Sequence, residues 1–474
     1  LALLAPTVAL LAGAANSHAA SAEAEIRVGF ATADLTPELG PKPVWIAGYG
    51  QNRRATGVHD PIMARTAVMA DAEGKKIAIV SVDLVGLQYR ETLAIRDRLK
   101  DYSYVLVSST HNHEGPDVIG LWGPSRQETG IDPDYLKLVV DRVVKSVKDA
   151  ESALAPATAQ YGAATDDSLV HDARLPIVKE GTLRLLRFET PDAQKPLGLL
   201  VQWSCHPEHL GSKNTLLTAD YPYYLVKELA AKHGVPIVYL TGSVGGLMTG
   251  DEKRFPKPGG GFYGEGEFEF AEAQGKALCQ LTDQALASAS PIRLTPFVIA
   301  PKRVAIPLAN EGYRRARAAG VLVRDAYRWT GDPNQPGELL DPQQTEGELA
   351  LVTEVAYLNL GELHVAAIPG ETYPELVLGK YQHPADPGAD FPDAPLEPPI
   401  LKSLPGNKVL IIGLANDEVG YIIPKRQWDQ KPPFAYEREK AQYGEVNSCG
   451  PEVAPILTQA LADAVKSVVQ STKP

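Results

Sequence analysis

Short runs of β-branched and aliphatic residues recur along the chain, and each ends in a polar or glycine-rich turn. They are Ile77–Val82 (IAIVSV), Tyr104–Ser108 (YVLVS), Leu199–Trp203 (LLVQW), Ile237–Leu240 (IVYL), Leu363–Ile368 (LHVAAI) and Val409–Ile412 (VLII). Runs this short and this apolar read as buried strands. Between them Tyr135–Leu154, Tyr223–His233 and Ala271–Ala287 carry helical periodicity. Strand–helix alternation predicts an α/β protein whose sheet is at least partly parallel. Three long segments interrupt it, Phe255–Gly266, Thr330–Gly347 and the proline-rich Gln382–Pro405, and they read as lids or surface excursions. With no internal repeat and no dividing linker, residues 23–474 are expected to form one large domain.

In open α/β sheets ligands bind outside the C-terminal strand ends. Here those ends carry Asp83, His111-Asn112-His113-Glu114, His206-Pro207-Glu208-His209, Glu371 and Asn416-Asp417-Glu418-Val419-Gly420-Tyr421, while the turn after IVYL is glycine-rich. His111 and His113 are two apart, so an extended backbone directs them to the same side. Such a pair can chelate a metal, or give one ligand and one acid–base imidazole. With His206 and Glu371 it forms a nitrogen/oxygen set suited to Zn²⁺. Asp83 can orient a histidine or simply cap its strand, and Asp220 reads as the N-cap of the helix that follows. Gly245-Gly246 can admit a close backbone approach or be no more than a turn.

Net charge is −12, and no block of consecutive basic residues occurs. Nucleic acid and anionic membrane are therefore not expected as partners. The three cysteines have neither metal-knuckle nor redox spacing, and no G-x-S-x-G elbow is present. Residues 1–22 begin with an apolar stretch (LALLAPTVALLAG) followed by small residues. This reads as an export signal, cut short at its start because the chain opens on Leu1 without a basic stretch. No later stretch is long and apolar enough to span a bilayer, so a secreted or periplasmic protein without a transmembrane segment is expected.

Taken together, VGFATADLTPELG with GYG, VHDPIMARTAVMADAEGKKIAIVSVDLVGL, SSTHNHEGPD, WSCHPEHLGSKNTLLTADYPYY, IPGETYPEL and GLANDEVGYIIP are similar to the neutral/alkaline (non-lysosomal) ceramidase family. The resemblance runs from about Val28 to the C-terminus. It implies mixed β-sheets flanked by helices, a site at the C-terminal strand ends, and hydrolysis of the N-acyl bond of ceramides with one catalytic zinc. A structural Ca²⁺ or Mg²⁺ stays open beside it. By motif, His111, His206 and Glu371 resemble zinc ligands, with Tyr421 as the tyrosine ligand and Glu418 as its competitor. His113 looks like a substrate-contacting acid–base residue, and Arg174 falls where the family has a loop arginine near the active site. Two departures stand out. Met248, in Gly245-Gly246-Leu247-Met248-Thr249, occupies the place of a serine proposed as catalytic in the family, and no C-terminal immunoglobulin-like domain is expected within these 474 residues.

The expected activity is zinc-dependent hydrolysis of an acyl bond in a small N-acyl or lipid-like substrate, by attack of a zinc-bound water. Tyr421, His113 or Arg174 would stabilise the oxyanion, and His113 would protonate the amine. The alternatives are a zinc esterase or lactonase acting on a small exported substrate, and a secreted binding protein of the same fold without turnover.

Overall fold

The computed structural model describes residues 26–192, 194–246 and 249–471, so the expected export signal and the Met248 position lie outside the described residues. All six apolar runs form strands. In chain order the strands are β1 (Ile26–Asp34), β2 (Gly57–Val58), β3 (Met63–Asp71), β4 (Lys76–Val82), β5 (Tyr104–Ser109), β6 (Ala155–Thr165), β7 (Thr182–Glu189), β8 (Pro196–Trp203) and β9 (Leu216–Leu217). They continue with β10 (Ile237–Thr241), β11 (Ser290–Ile292), β12 (Phe297–Pro307), β13 (Tyr327–Arg328), β14 (Leu349–Leu360), β15 (Leu363–Ala367), β16 (Glu371–Thr372), β17 (Val409–Ile412) and β18 (Tyr421–Ile422). The helices are α1 (Tyr89–Asp97), α2 (Pro133–Ser152), α3 (Tyr221–His233), α4 (Phe268–Ala287), α5 (Glu311–Ala318), α6 (Pro374–Leu378), α7 (Ile400–Ser403) and α8 (Val453–Ser471).

The three expected helices are α2, α3 and α4. Asp132 caps α2 by accepting from the Asp134 N–H, with Pro133 in the first turn. Asp220 precedes α3 at a positive φ of 58° and accepts from the Tyr221 N–H at 2.6 Å. One departure is that the proline-rich segment 382–405 contains the short helix α7. Among the described residues no helix is long and apolar enough to cross a membrane, and no two cysteines are bridged.

Two mixed sheets stack face to face. The larger has nine strands in the order β10-β8-β7-β6-β1-β3-β4-β5, with β11 against β6; the second runs β12-β14-β15-β17, with β13 against β14. Pairing is parallel at β8/β10, β4/β5 and β15/β17 and antiparallel elsewhere in these sheets. Ile79, Leu106, Leu200 and Val238 of the larger sheet meet Leu358, Val365 and Leu410 of the smaller in one dry layer. Each such side chain stabilises the fold by about 1.5–3 kcal/mol when fully buried. Outside, α2 covers β1 and β3, α3 and α4 cover the β6–β10 side, and α8 covers β12 and β14. The order of layers is helix, sheet, sheet, helix.

What positions the site is the way the large sheet's edges are satisfied. β5 and β10 are its two end strands, and unpaired edge N–H and C=O groups need partners. The turn after β17 supplies them. Asn416 N–H donates to Val107 O at 2.6 Å and Ser109 N–H to Leu414 O at 3.2 Å, while Gly413 N–H donates to Thr241 O at 2.9 Å. Thr241 Oγ1 then donates directly to Thr110 O at 2.9 Å. Strand ends remote in sheet order are thereby drawn together around one turn.

Candidate metal centre and cavity

His111 and His113 leave the end of β5 on a turn locked by Asn112. Its Nδ2 donates to Thr218 O at 2.7 Å and its Oδ1 accepts from Glu114 N–H at 3.0 Å. His111 takes a left-handed φ of 65°, a conformation non-glycine residues seldom hold without a structural reason. Its Nδ1 sits 2.6 Å from Val85 O, and a carbonyl only accepts, so Nδ1 carries the proton and Nε2 is turned inward. Nε2 lies 3.2 Å from Glu371 Oε2. His206 follows β8, is fully buried, and places its Nε2 3.0 Å from the same carboxylate oxygen. Glu371 stands on β16, whose parallel pairing with β18 sets it directly across from Tyr421. The glycine-rich turn after β10 packs on this segment: Gly245 N–H donates to Thr372 O at 3.0 Å, and a Cβ at Gly245 would lie 2.7 Å from Glu371 O.

The imidazoles of His111, His113 and His206 form a buried group that could hold a metal ion, with ligand atoms all within 4.8 Å of one another. The ring centroids of His111 lie 4.8 Å from His113 and 4.6 Å from His206. Neither ring nitrogen of His113 has a hydrogen-bond partner although both are buried. Buried polar atoms are seldom left this way, and three imidazole nitrogens beside a carboxylate are a donor set suited to a first-row divalent cation.

The electrostatics agree with this arrangement. Burial by itself raises the Glu371 pKa, but His111 and His206 hold the carboxyl well below the usual carboxylate range. Burial, then the neighbouring His111 and His206, push His113 well below an ordinary histidine, so its imidazole is neutral. Glu418 is pushed far up by burial and by the charge of Glu371. The Tyr421 phenol is held protonated for the same two reasons.

These groups close one end of a cavity of about 930 Å³, within the usual range for a small-molecule site. His111, His113, Glu371, Glu418 and Tyr421 line that end, while Ile119, Leu121, Trp122, Val321 and Leu322 supply an apolar wall. Glu418 and Tyr421 both reach the cavity, and Glu418 Oε1 is occupied by Gly420 N–H at 2.6 Å.

Arg174 lies elsewhere. It is not among the residues lining the cavity. Its Nη1 and Nη2 pair with the two oxygens of Glu445 at 2.9 and 2.7 Å, and they also donate to Tyr443 O and Gln427 O. Tyr443 stacks edge-on against Tyr421 with centroids 5.7 Å apart. Asp83 is paired with Arg65 at 2.7 Å and does not face a histidine ring; the carbonyl of Val85, two residues on, orients His111 instead.

Sequence reasoning left out three groups around His113. Glu208 Oε2 lies 3.3 Å from His113 Nδ1, the Tyr49 ring stands edge-on at 5.3 Å, and Gly48 lies underneath. The HPEH and GYG motifs contain them, but only tertiary folding shows what they face.

Residues 26–228 match the family model described as neutral/alkaline non-lysosomal ceramidase, N-terminal. No curated protein matches the chain. Two solved structures share the fold over 95% of the chain. A crystal structure of neutral ceramidase from Pseudomonas aeruginosa matches with a TM-score of 0.69 at 16% identity, over 75% of its own length. A ceramidase complexed with C2 matches with a TM-score of 0.70 at 16% identity, over 76% of its own length.

Proposed function

We propose that the protein, whose residues 26–228 match the neutral/alkaline non-lysosomal ceramidase N-terminal family model, is a zinc-dependent, ceramidase-like hydrolase of N-acyl amides. The observation that carries this reading is the buried convergence of His111, His113 and His206 beside Glu371 at the end of a large, partly apolar cavity. His111, His206 and Glu371 would hold the ion, with Tyr421 as a fourth protein ligand or as a donor beside it. Zinc bound there supplies Lewis acidity and makes water a nucleophile near neutral pH.

The side chains account for the rest of the chemistry. His113 is neutral, so it can take a proton from the attacking water and deliver it to the departing amine, which leaves poorly without one. The protonated Tyr421 phenol would donate to the developing oxyanion, a contribution of roughly 3–4 kcal/mol for one such donor. Arg174 acts through others. By holding Glu445 and the Tyr443 carbonyl it sets the ring that packs on Tyr421, which makes it a positioning residue. The apolar wall suits a hydrocarbon acyl chain, as expected for a lipid amide. Action outside the cytoplasm fits the signal expected in residues 1–22.

The test is incubation of the zinc-loaded protein with a panel of N-acyl amides, ceramide included, and their matched esters, with products identified by mass spectrometry. Release of fatty acid and amine is expected. Cleavage of esters alone would make the protein a zinc esterase, and binding without turnover would overturn the hydrolase reading.

A further inference from the structure

We propose that Glu208 is the positioning residue for His113, accepting its Nδ1 proton so that Nε2 faces the cavity with a free lone pair. This rests on His113 as the acid–base group.

Both partners are buried, His113 at 8% and Glu208 at 7% exposure, and Nδ1 lies 3.3 Å from Oε2. Among the described residues His113 is the one basic group that pairs with the Glu208 carboxylate. The backbone fixes both ends of this contact. His113 N–H donates to Pro207 O at 3.0 Å, locking the turn after β5 to the turn after β8. The Arg53 guanidinium holds the His113 carbonyl, and Tyr49 Oη donates to Glu208 O at 2.9 Å. The same Tyr49 packs edge-on against the His113 ring.

Burial, against the pull of His206, raises the pKa of the Glu208 carboxyl to about 7; in its ionised form it can only accept, so a neutral imidazole facing it presents N–H from Nδ1 and leaves Nε2 unprotonated. That tautomer is the one a general base needs; the ring's other neighbours are the Tyr49 ring and the imidazoles of His111 and His206. At 3.3 Å the two atoms are in contact but not aligned as a hydrogen bond in this structure, where both His113 ring nitrogens are unpartnered. Contacts of this kind tighten when a substrate fills the site. One turn, His206-Pro207-Glu208, would then carry both a metal-holding group and the group that aims the acid–base residue.

The experiment compares wild type, Glu208→Gln and Glu208→Leu, each loaded with zinc, by three readouts. Steady-state kinetics on an N-acyl amide should show kcat falling ~100-fold in the leucine variant and ~10-fold in the glutamine variant, which keeps an acceptor but no longer enforces it. KM should stay within about twofold, because no substrate contact is removed. Zinc stoichiometry should be unchanged. Nitrogen-15 NMR of histidine-labelled protein, with the His113 signals assigned by His113→Asn, should show the Nδ1–H tautomer in wild type and its loss in Glu208→Leu.

Wild-type kcat in Glu208→Leu, or a wild-type His113 protonated on Nε2 instead, would overturn the proposal. Loss of zinc from the leucine variant would also overturn it, since Glu208 would then be supporting a ligand. If wild type cleaves no acyl amide, the functional reading fails while the tautomer measurement still decides this one. Should the leucine variant fail to fold, the wild-type tautomer and the glutamine kinetics decide it.

Discussion

Replacing Arg174 by methionine separates a cation that braces the fold from one that binds substrate. The Arg174 and Glu445 side chains are 4% and 2% exposed, so neither charge has water to fall back on. Four donor contacts leave the guanidinium, to Glu445 Oε1 and Oε2 at 2.7 and 2.9 Å, Tyr443 O at 2.8 Å and Gln427 O at 2.5 Å. Methionine refills most of the aliphatic stem but strands the carboxylate, which keeps the Asp429 N–H at 2.9 Å on Oε1. Removing one partner of a buried pair costs about 3–5 kcal/mol. That is a large share of a typical stability of about 5–15 kcal/mol. The assay is urea denaturation followed by tryptophan fluorescence, with kcat and KM measured on the same preparations. Arg174→Met should lose roughly 4 kcal/mol, and the double variant with Glu445→Leu should recover about 2 kcal/mol by leaving no buried charge unpaired. Activity should stay low, because the double variant still lacks the guanidinium that holds the Tyr443 carbonyl beside Tyr421. A single variant within about 1 kcal/mol of wild type that nevertheless loses substrate binding would refute this reasoning and put the guanidinium on the substrate.

Tyr421→Phe should lower kcat more than it raises KM, whereas Glu418→Gln should keep metal and most activity, because Glu418 is already held protonated beside Glu371 and the amide is nearly isosteric; metal loss in Glu418→Gln with a silent Tyr421→Phe would reverse the assignment. Gly48→Ala forces a side chain onto a φ of 103° and puts its Cβ 2.4 Å from His113 Cγ. It should cost about 1–3 kcal/mol of stability and ~100-fold in kcat by displacing the imidazole, as read by urea titration and steady-state kinetics. With Met248 where the family has a serine, no acyl-enzyme should form; the rapidly quenched protein should keep its unmodified mass, and Thr249→Ala should stay active. An acylated peptide containing Thr249 would refute this prediction.

Much of the fold is legible in the sequence because its central strands are runs of Val, Ile and Leu, such as IAIVSV and YVLVSS, whose burial on both faces leaves no other reading. Strands β1 and β6 are harder to read. APATAQYGAAT is mostly alanine, threonine and glycine, and IRVGFATAD mixes Ile, Val and Phe with charged and small residues, so their strand character comes from neighbours on either side more than from intrinsic preference. The site residues His111, His113, His206, Glu371 and Tyr421 are legible as polar residues just past strand ends. Their convergence is not, since β5 and β8 lie far apart in the sheet order and their turns are joined by long-range contacts, His113 N–H to Pro207 O among them, together with the turn after β17. Arg174 shows the limit most plainly. A loop arginine near the right motif suggests substrate contact, but its actual partner, Glu445, lies 271 residues away in sequence.

Metal analysis of the purified chain and of His111→Ala and His206→Ala, with amide hydrolysis measured on the same samples, tests the central claim most directly. The wild type should contain about one zinc, lose activity to chelator and regain it with added zinc, while each variant should be metal-free and inactive yet folded. Stoichiometric zinc in both variants, or undiminished hydrolysis by the metal-free chain, would contradict the account.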